Sequence, residues 1–345
     1  VVAFSNNDNF NNFRGNNMKR EIHKNITREQ WLELRKADVT STGSAALFDC
    51  SPYLTKYELY QTKAKGIEIP FQENDRMHKG LRMEAFAAQE IALEHGVIVE
   101  PFNEYVRIPE IKAGASYDFR IIGLDENWKG EETELRQMFA QYGKGILEIK
   151  AVHGAIYKDK WENGEPPAHY SVQLDHQLAV HGGYKWGCIA AFTGVYEHNV
   201  VSRAYDKDKA SKILTAIKRF WDDVEAGREP DPDYYRDGAV INALNPEAEG
   251  GIDFTESQEF DDLCQRYSIL KDQIKADTKE ADAIKAKLHH MIGSGAVGFG
   301  REYKFTAGYT KDNPGKLITE DMVGERIGER KGYRQALVKP LKRGK

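Results

Sequence analysis

Three residues of this 345-residue chain have the types and spacing to hold a cation against a phosphate: Asp118, and thirty positions later Glu148 and Lys150. The last two lie in the run Gly145-Ile146-Leu147-Glu148-Ile149-Lys150-Ala151. Apolar and β-branched residues following Gly143 and Gly145 predict a strand there. Side chains two apart on a strand point the same way, so Glu148 and Lys150 share a face. A carboxylate and an ammonium are costly to hold among Ile146, Leu147 and Val152 unless something uses their charges. An isolated Glu-x-Lys is ordinarily a cross-strand ion pair, but residues 115–123 read as a second strand that presents Asp118. Oxygen ligands on two neighbouring strands suit a hard divalent cation such as Mg²⁺ or Mn²⁺, whereas zinc draws on His and Cys at short spacing. The lysine then stabilises a pentavalent phosphate or orients the attacking water.

This Asp…Glu-x-Lys arrangement resembles the PD-(D/E)xK nuclease superfamily, and four flanking blocks narrow the likeness. Trp31-Leu32-Glu33-Leu34-Arg35 followed by Val39-Thr40-Ser41-Thr42-Gly43-Ser44 resembles the "W-x-x-L-R … T-x-S" block of the lambda-exonuclease and YqaJ-like viral recombinase group. Ser51-Pro52-Tyr53 with Tyr57-Glu58-Leu59-Tyr60, Gly80-Leu81-Arg82-Met83-Glu84, and Tyr170-Ser171-Val172-Gln173 with His176-Gln177-Leu178 follow in that group's order. The similarity spans residues 28–205. It implies an α/β fold with a restriction-endonuclease-like core, a central mixed sheet flanked by helices. It also implies a Mg²⁺-dependent exonuclease, with Mn²⁺ as substitute, that degrades duplex DNA from the 5′ end and leaves 3′ overhangs for single-strand annealing recombination.

By the same resemblance Asp118, Glu148, Glu84 and Ile149 hold the metal, while Lys150 and Gln173 complete the catalytic set. Arg35, Thr42 and Ser116 grip the 5′-terminal phosphate, a task suited to a guanidinium fork and hydroxyls. Where the group commonly has a second glutamine two residues after Gln173, this chain has Asp175, which leaves that position's role open. The resemblance further implies a ring-shaped homotrimer on double-stranded DNA ends, a single-strand annealing protein as partner, and a phage or prophage protein acting in the bacterial cytoplasm. An endonuclease of the same fold and a catalytically idle DNA-binding or scaffold subunit are the rival readings.

Composition sets looser bounds. A net charge of −5 does not suggest a DNA-binding protein, yet an acidic exterior can enclose a basic cleft. Three scattered cysteines, Cys50, Cys188 and Cys264, read as reduced structural thiols and not as ligands of an iron–sulfur cluster. No apolar run is long enough to span a membrane, and no G-x-x-x-x-G-K-[ST] motif marks an ATP motor. His176 and His181 lack a third ligand at zinc-site spacing and read as structural.

The elements that must position the site follow in order. Residues 1–25 read as a disordered leader, asparagine-rich to residue 17, and 26–229 as the exonuclease domain. Helices are expected over 43–50, 55–65, 74–95, 168–181 and 207–226, and strands over 97–99, 105–108, 186–192 and 199–205. The 74–95 helix should bury Met77, Leu81, Ala85, Ala88 and Ala92. Residues 125–144 read as a surface loop with one helical turn, and 153–167 as a flap or plain connection. A linker over 230–254 precedes a C-terminal extension, 255–345, of one long helix and a small β-hairpin. Thr255 and Gln258 suggest its capping box. Its apolar residues, from Phe260 to Met291, keep heptad spacing, a seam for oligomerisation, for docking on the core or for a partner.

Overall fold

Two sheets meet at the segment that carries Asp118. The computed structural model describes residues 18–67, 75–193, 198–246 and 250–308, with side chains omitted for 75–82. Strands β1 (Glu21–Lys24), β2 (Val39–Thr40), β4 (Glu104–Ile108) and β5 (Ala113–Ser116) form one sheet, ordered β1-β4-β5-β2. Strands β3 (Val97–Pro101), β6 (Phe119–Leu124), β7 (Gly145–Ala151), β8 (Trp186–Phe192) and β9 (His198–Ala204) form the other, ordered β3-β6-β7-β8-β9. The expected strand over 115–123 is therefore two. β5 ends at Ser116, β6 begins at Phe119, and Tyr117 and Asp118 carry the chain from sheet to sheet.

The five-stranded sheet is mixed: β7 and β8 run parallel while its other pairs are antiparallel. A parallel pair needs a crossover, here supplied by α6 (Gly154–Lys160) and α7 (Ala168–His181). The period-2 alternation of β7 then sorts its side chains. Ile146 packs with Leu174 and Leu178 of α7 and with Ile213, Leu214 and Ile217 of α8 (Lys207–Glu225). Leu147 and Ile149 join the opposite core, with Ala87, Ala88 and Ile91 of α4 (Asp75–His95) and Leu135 of α5 (Glu134–Tyr142). Glu148 and Lys150 thus share the α7 side, as their spacing requires. Gly145 is dictated by packing, since a Cβ there would stand 2.3 Å from the indole of Trp186. This α/β core, a mixed sheet between helical layers, is the expected fold class.

Several boundaries are corrected. β1 falls inside the stretch assigned to the leader and pairs with β4 through Glu21 to Lys24, so the ordered core begins earlier than residue 26. The leader expected over 1–17 lies outside the described residues. The 125–144 segment holds a nine-residue helix, not one turn, because Leu135 is buried beneath it. The helical register of α4 also differs: Ala87, Ala88 and Ile91 are buried whereas Ala85 is exposed, and Met77 and Leu81 lie outside the described side chains. That register puts Glu84 on the buried face, three, four and seven residues before them.

The chain divides into units Val1–Leu244 and Asn245–Lys345. Part of the expected linker belongs to the first. Buried Asp237 accepts from Thr55 Oγ1 at 2.5 Å, Arg236 donates to the Ser51 carbonyl at 2.7 Å, and α9 (Gly238–Leu244) follows. The second unit contains α10 (Gln258–Ile292), capped by Ser257 and not by Thr255, and a hairpin of β10 (Val297–Phe299) and β11 (Lys304–Thr306). Phe260, Leu263, Tyr267, Leu270 and Ile274 stand exposed along α10.

Candidate active site

Four elements deliver the polar groups. Glu148 is 2 % exposed, and its two carboxylate oxygens are held from different directions. Oε1 accepts from Lys150 Nζ at 2.5 Å and from Gln173 Nε2 at 2.5 Å, and Oε2 accepts from Gln177 Nε2 at 2.7 Å. Gln173 and Gln177 are one turn apart on α7 and so reach down together. Asp118 approaches from the β5–β6 junction, where its Oδ2 accepts from the Ile149 amide at 3.0 Å. Lys150 Nζ lies 5.2 Å from the ring centroid of Tyr170.

Burial and like charge dominate the electrostatics. Burial, followed by the neighbouring Glu148, pushes the Asp118 carboxyl well above the usual carboxylate range, against the pull of Lys150. Glu84 is raised too, by burial and by Glu148, with Lys150 opposing. Burial disfavours the Lys150 ammonium, but Glu148 and Asp118 outweigh it and raise the amine above its ordinary value. Three carboxyls therefore share one ammonium in a desolvated setting, and that excess favours a divalent cation. All available donors are oxygens, from Asp118, Glu148 and Glu84, and Ile149 can add only its backbone carbonyl. Such a set suits Mg²⁺ or Mn²⁺. Among the described residues no group of three or more His, Cys, Asp or Glu side chains is already gathered around one point, so the fit rests on donor chemistry.

The expected phosphate grip is joined in part. Arg35 Nη1 lies 3.5 Å from Ser116 Oγ, and its guanidinium stacks 4.4 Å from the Trp31 ring centroid. Thr42, exposed, instead meets Thr40, hydroxyl to hydroxyl, at 3.2 Å. The helix bearing Arg35, α1 (Arg28–Ala37), is anchored at its C-cap Asp38. That buried carboxylate takes hydrogen bonds from Arg107 at 2.7 Å and from the Tyr105 hydroxyl at 3.1 Å.

The four-residue spacing of Gln177 from Gln173 places both on one helix face from sequence, but no role at the site was expected of Gln177. Its Nε2 also donates to the Ser116 carbonyl at 3.0 Å, and so it connects the carboxylate cluster to the segment of the expected phosphate grip. Asp175 instead faces α8, with Oδ2 4.0 Å from Lys209 Nζ. His176 Nε2 contacts the Gly114 carbonyl at 3.0 Å and His181 packs among Phe102, Tyr117 and Tyr184, both structural placements.

Residues 30–185 match the sequence profile of the YqaJ-like viral recombinase domain. The YqaJ protein of Bacillus subtilis strain 168 is 24% identical over 287 residues, a match covering 81% of this chain and 82% of that protein. Among solved structures, LHK-Exo in complex with dAMP is 21% identical, over 58% of this chain and 93% of its own, with a TM-score of 0.44. A second structure of LHK-Exo, an alkaline exonuclease from Laribacter hongkongensis, has the same identity and coverage and a TM-score of 0.43. The stretch that holds the Asp118, Glu148 and Lys150 cluster, residues 30–185, is thus similar to the YqaJ-like viral recombinase domain.

Proposed function

We propose that the chain is a Mg²⁺-dependent, ATP-independent exonuclease that degrades one strand of duplex DNA from its 5′ end and leaves a 3′ single-stranded overhang. The observation that carries this reading is the convergence of Asp118 on the Glu148–Ile149–Lys150 segment, joined from α7 by Gln173 and Gln177. Asp118, Glu148, Glu84 and the Ile149 carbonyl would hold Mg²⁺, with Mn²⁺ as a substitute. When bound, the ion supplies charge neutralisation at the attacked phosphate and the leaving oxygen. The glutamine amides fix the Glu148 carboxylate. Lys150 remains an ammonium and offers protons to phosphate oxygens whose charge grows in the transition state. Arg35 and Ser116 hold a terminal 5′ phosphate, two residues along the chain from Asp118, and thereby set which phosphodiester is presented. Thr42 joins that grip only if its hydroxyl turns from Thr40.

A homotrimer around the duplex, a single-strand annealing partner and action in a bacterial cytoplasm complete the reading. Among the described residues, no helix is long and apolar enough to cross a membrane.

The test incubates the protein with Mg²⁺ and no ATP on linear duplex DNA bearing a 5′ phosphate or a 5′ hydroxyl, and on closed circular duplex. Faster digestion of phosphorylated ends with the circle intact supports the proposal. Nicking of the circle would instead assign an endonuclease, and no cleavage with either Mg²⁺ or Mn²⁺ an idle binding subunit.

A further inference from the structure

A cavity of about 480 Å³ opens beside Ser116, with Trp31, Phe102, Asn103, Tyr105 and Tyr117 in its walls. Its volume falls in the range of small-ligand sites, roughly 300–1,000 Å³. Two smaller cavities, about 90 and 200 Å³, are lined by neither Arg35 nor Ser116. The larger one is thus contiguous with the proposed phosphate grip. Trp31 belongs to both: its indole forms cavity wall and also carries the Arg35 guanidinium at 4.4 Å. A phosphate held by Arg35 and Ser116 therefore brings its own sugar and base within reach of this space.

We infer that the cavity receives the base of the 5′-terminal nucleotide while Arg35 and Ser116 hold that nucleotide's phosphate, an inference that rests on the phosphate placement proposed above. The wall chemistry suits a base of any identity. Trp31 is the accessible aromatic of the wall, because Phe102, Tyr105 and Tyr117 are 1, 1 and 7 % exposed, and one aromatic face accepts every base because each has a π face. Asn103, exposed at this cavity, adds an amide that both donates and accepts and can meet different base edges. An exonuclease that advances through arbitrary sequence needs such tolerance. Its first nucleotide would be held at two points, phosphate and base, before the following phosphodiester meets Asp118.

The test uses the full chain with Mg²⁺ and linear duplexes whose far end is closed by a hairpin. The three substrates begin with a 5′-phosphorylated ordinary nucleotide, a 5′-phosphorylated tetrahydrofuran abasic residue, or a 5′-hydroxyl ordinary nucleotide. We expect the abasic end to raise KM by roughly 5- to 150-fold, the range for losing one stacked base. Fraying cannot mimic this, because an unpaired end is easier to open and would act in the opposite direction. Asn103→Trp, which fills the cavity from an exposed position, should raise KM on the ordinary end toward the abasic value while the preference for phosphate over hydroxyl persists. A thermal melt checks its folding, and the wild-type comparison stands without it. Equal KM for ordinary and abasic ends, with the phosphate preference intact, overturns the cavity assignment and leaves the phosphate grip standing. Dependence on the base without dependence on the phosphate removes the Arg35–Ser116 placement and, with it, the cavity assignment that rests on it. Loss of both preferences overturns both.

Discussion

Gln177→Leu isolates a contact that joins the proposed catalytic carboxylate Glu148 to the strand of the proposed phosphate grip. The side chain is 1 % exposed, and its Nε2 donates to Glu148 Oε2 at 2.7 Å and to the Ser116 carbonyl at 3.0 Å. Leucine has similar volume and removes both donors. A hydrogen bond to a charged group contributes about 1.5–3 kcal/mol and a neutral one about 1 kcal/mol. The opposing gain is the loss of Gln177 Oε1, which is buried without a partner among the described residues. Removing that unsatisfied acceptor offsets roughly 1 kcal/mol, so the net destabilisation should be about 1.5–3 kcal/mol. Urea unfolding at neutral pH reads it directly. The catalytic effect is separate: with only Lys150 and Gln173 left, both on Oε1, Glu148 is free to rotate about its carboxyl bond. We expect kcat to fall about 10- to 100-fold, consistent with a small displacement of a positioned group, with a smaller change in KM. Stability within about 0.5 kcal/mol of wild type together with an unchanged kcat would refute the claim that this amide holds the carboxylate.

Other outcomes follow from the same geometry. Asp118→Asn should abolish cleavage yet leave Tm equal or higher, because a carboxyl whose ionised form is disfavoured by burial and by Glu148 is replaced by a neutral amide; a lowered Tm would contradict the desolvation account. Lys150→Ala should likewise abolish cleavage under Mg²⁺, and near-normal rates in a gel assay would misplace the site. Arg35→Ala should reduce the ratio of rates on 5′-phosphate and 5′-hydroxyl ends, and an unchanged ratio would take Arg35 out of the phosphate grip. Burial depresses the fully buried His176 to about 4, so the unfolded chain binds more protons between that pH and about 6.5. Stability should therefore be fully present above that window and fall as pH drops through it, by up to about 3 kcal/mol from this group. Denaturant midpoints of wild type and His176→Gln across the window check this, and parallel curves would refute it.

Much of the site was legible in the sequence because it depends on local periodicity. Glu148 and Lys150 had to share a strand face, and Gln173 had to follow on a helix. The register of α4 was not legible. Ala88 is buried as expected, but packing against Leu147 and Ile149 puts Ala87 and Ile91 beside it in place of Ala85 and Ala92. Spacing alone puts Gln177 on the face of Gln173 but not against Glu148 and Ser116, and no local pattern signals the bond of Thr42 to Thr40.

By itself the amino-acid sequence determined which candidate groups are available for the proposed chemistry, since hard oxygen donors, a lysine and an arginine fork are properties of residue type and short spacing. It also determined the main helices and strands through caps, glycines and alternation, as with Thr55 and Gly66 around α3 (Lys56–Lys65). Only the tertiary structure decided the break between β5 and β6 that swings Asp118 across to the Ile149 amide. It alone turned Gln177 toward Glu148 and Asp175 toward Lys209, and opened the cavity beside Ser116. Each of these depends on contacts between residues tens of positions apart. Such contacts form because the sheets and α7 must bury their apolar faces together, and no local pattern specifies which polar side chains that burial brings into register.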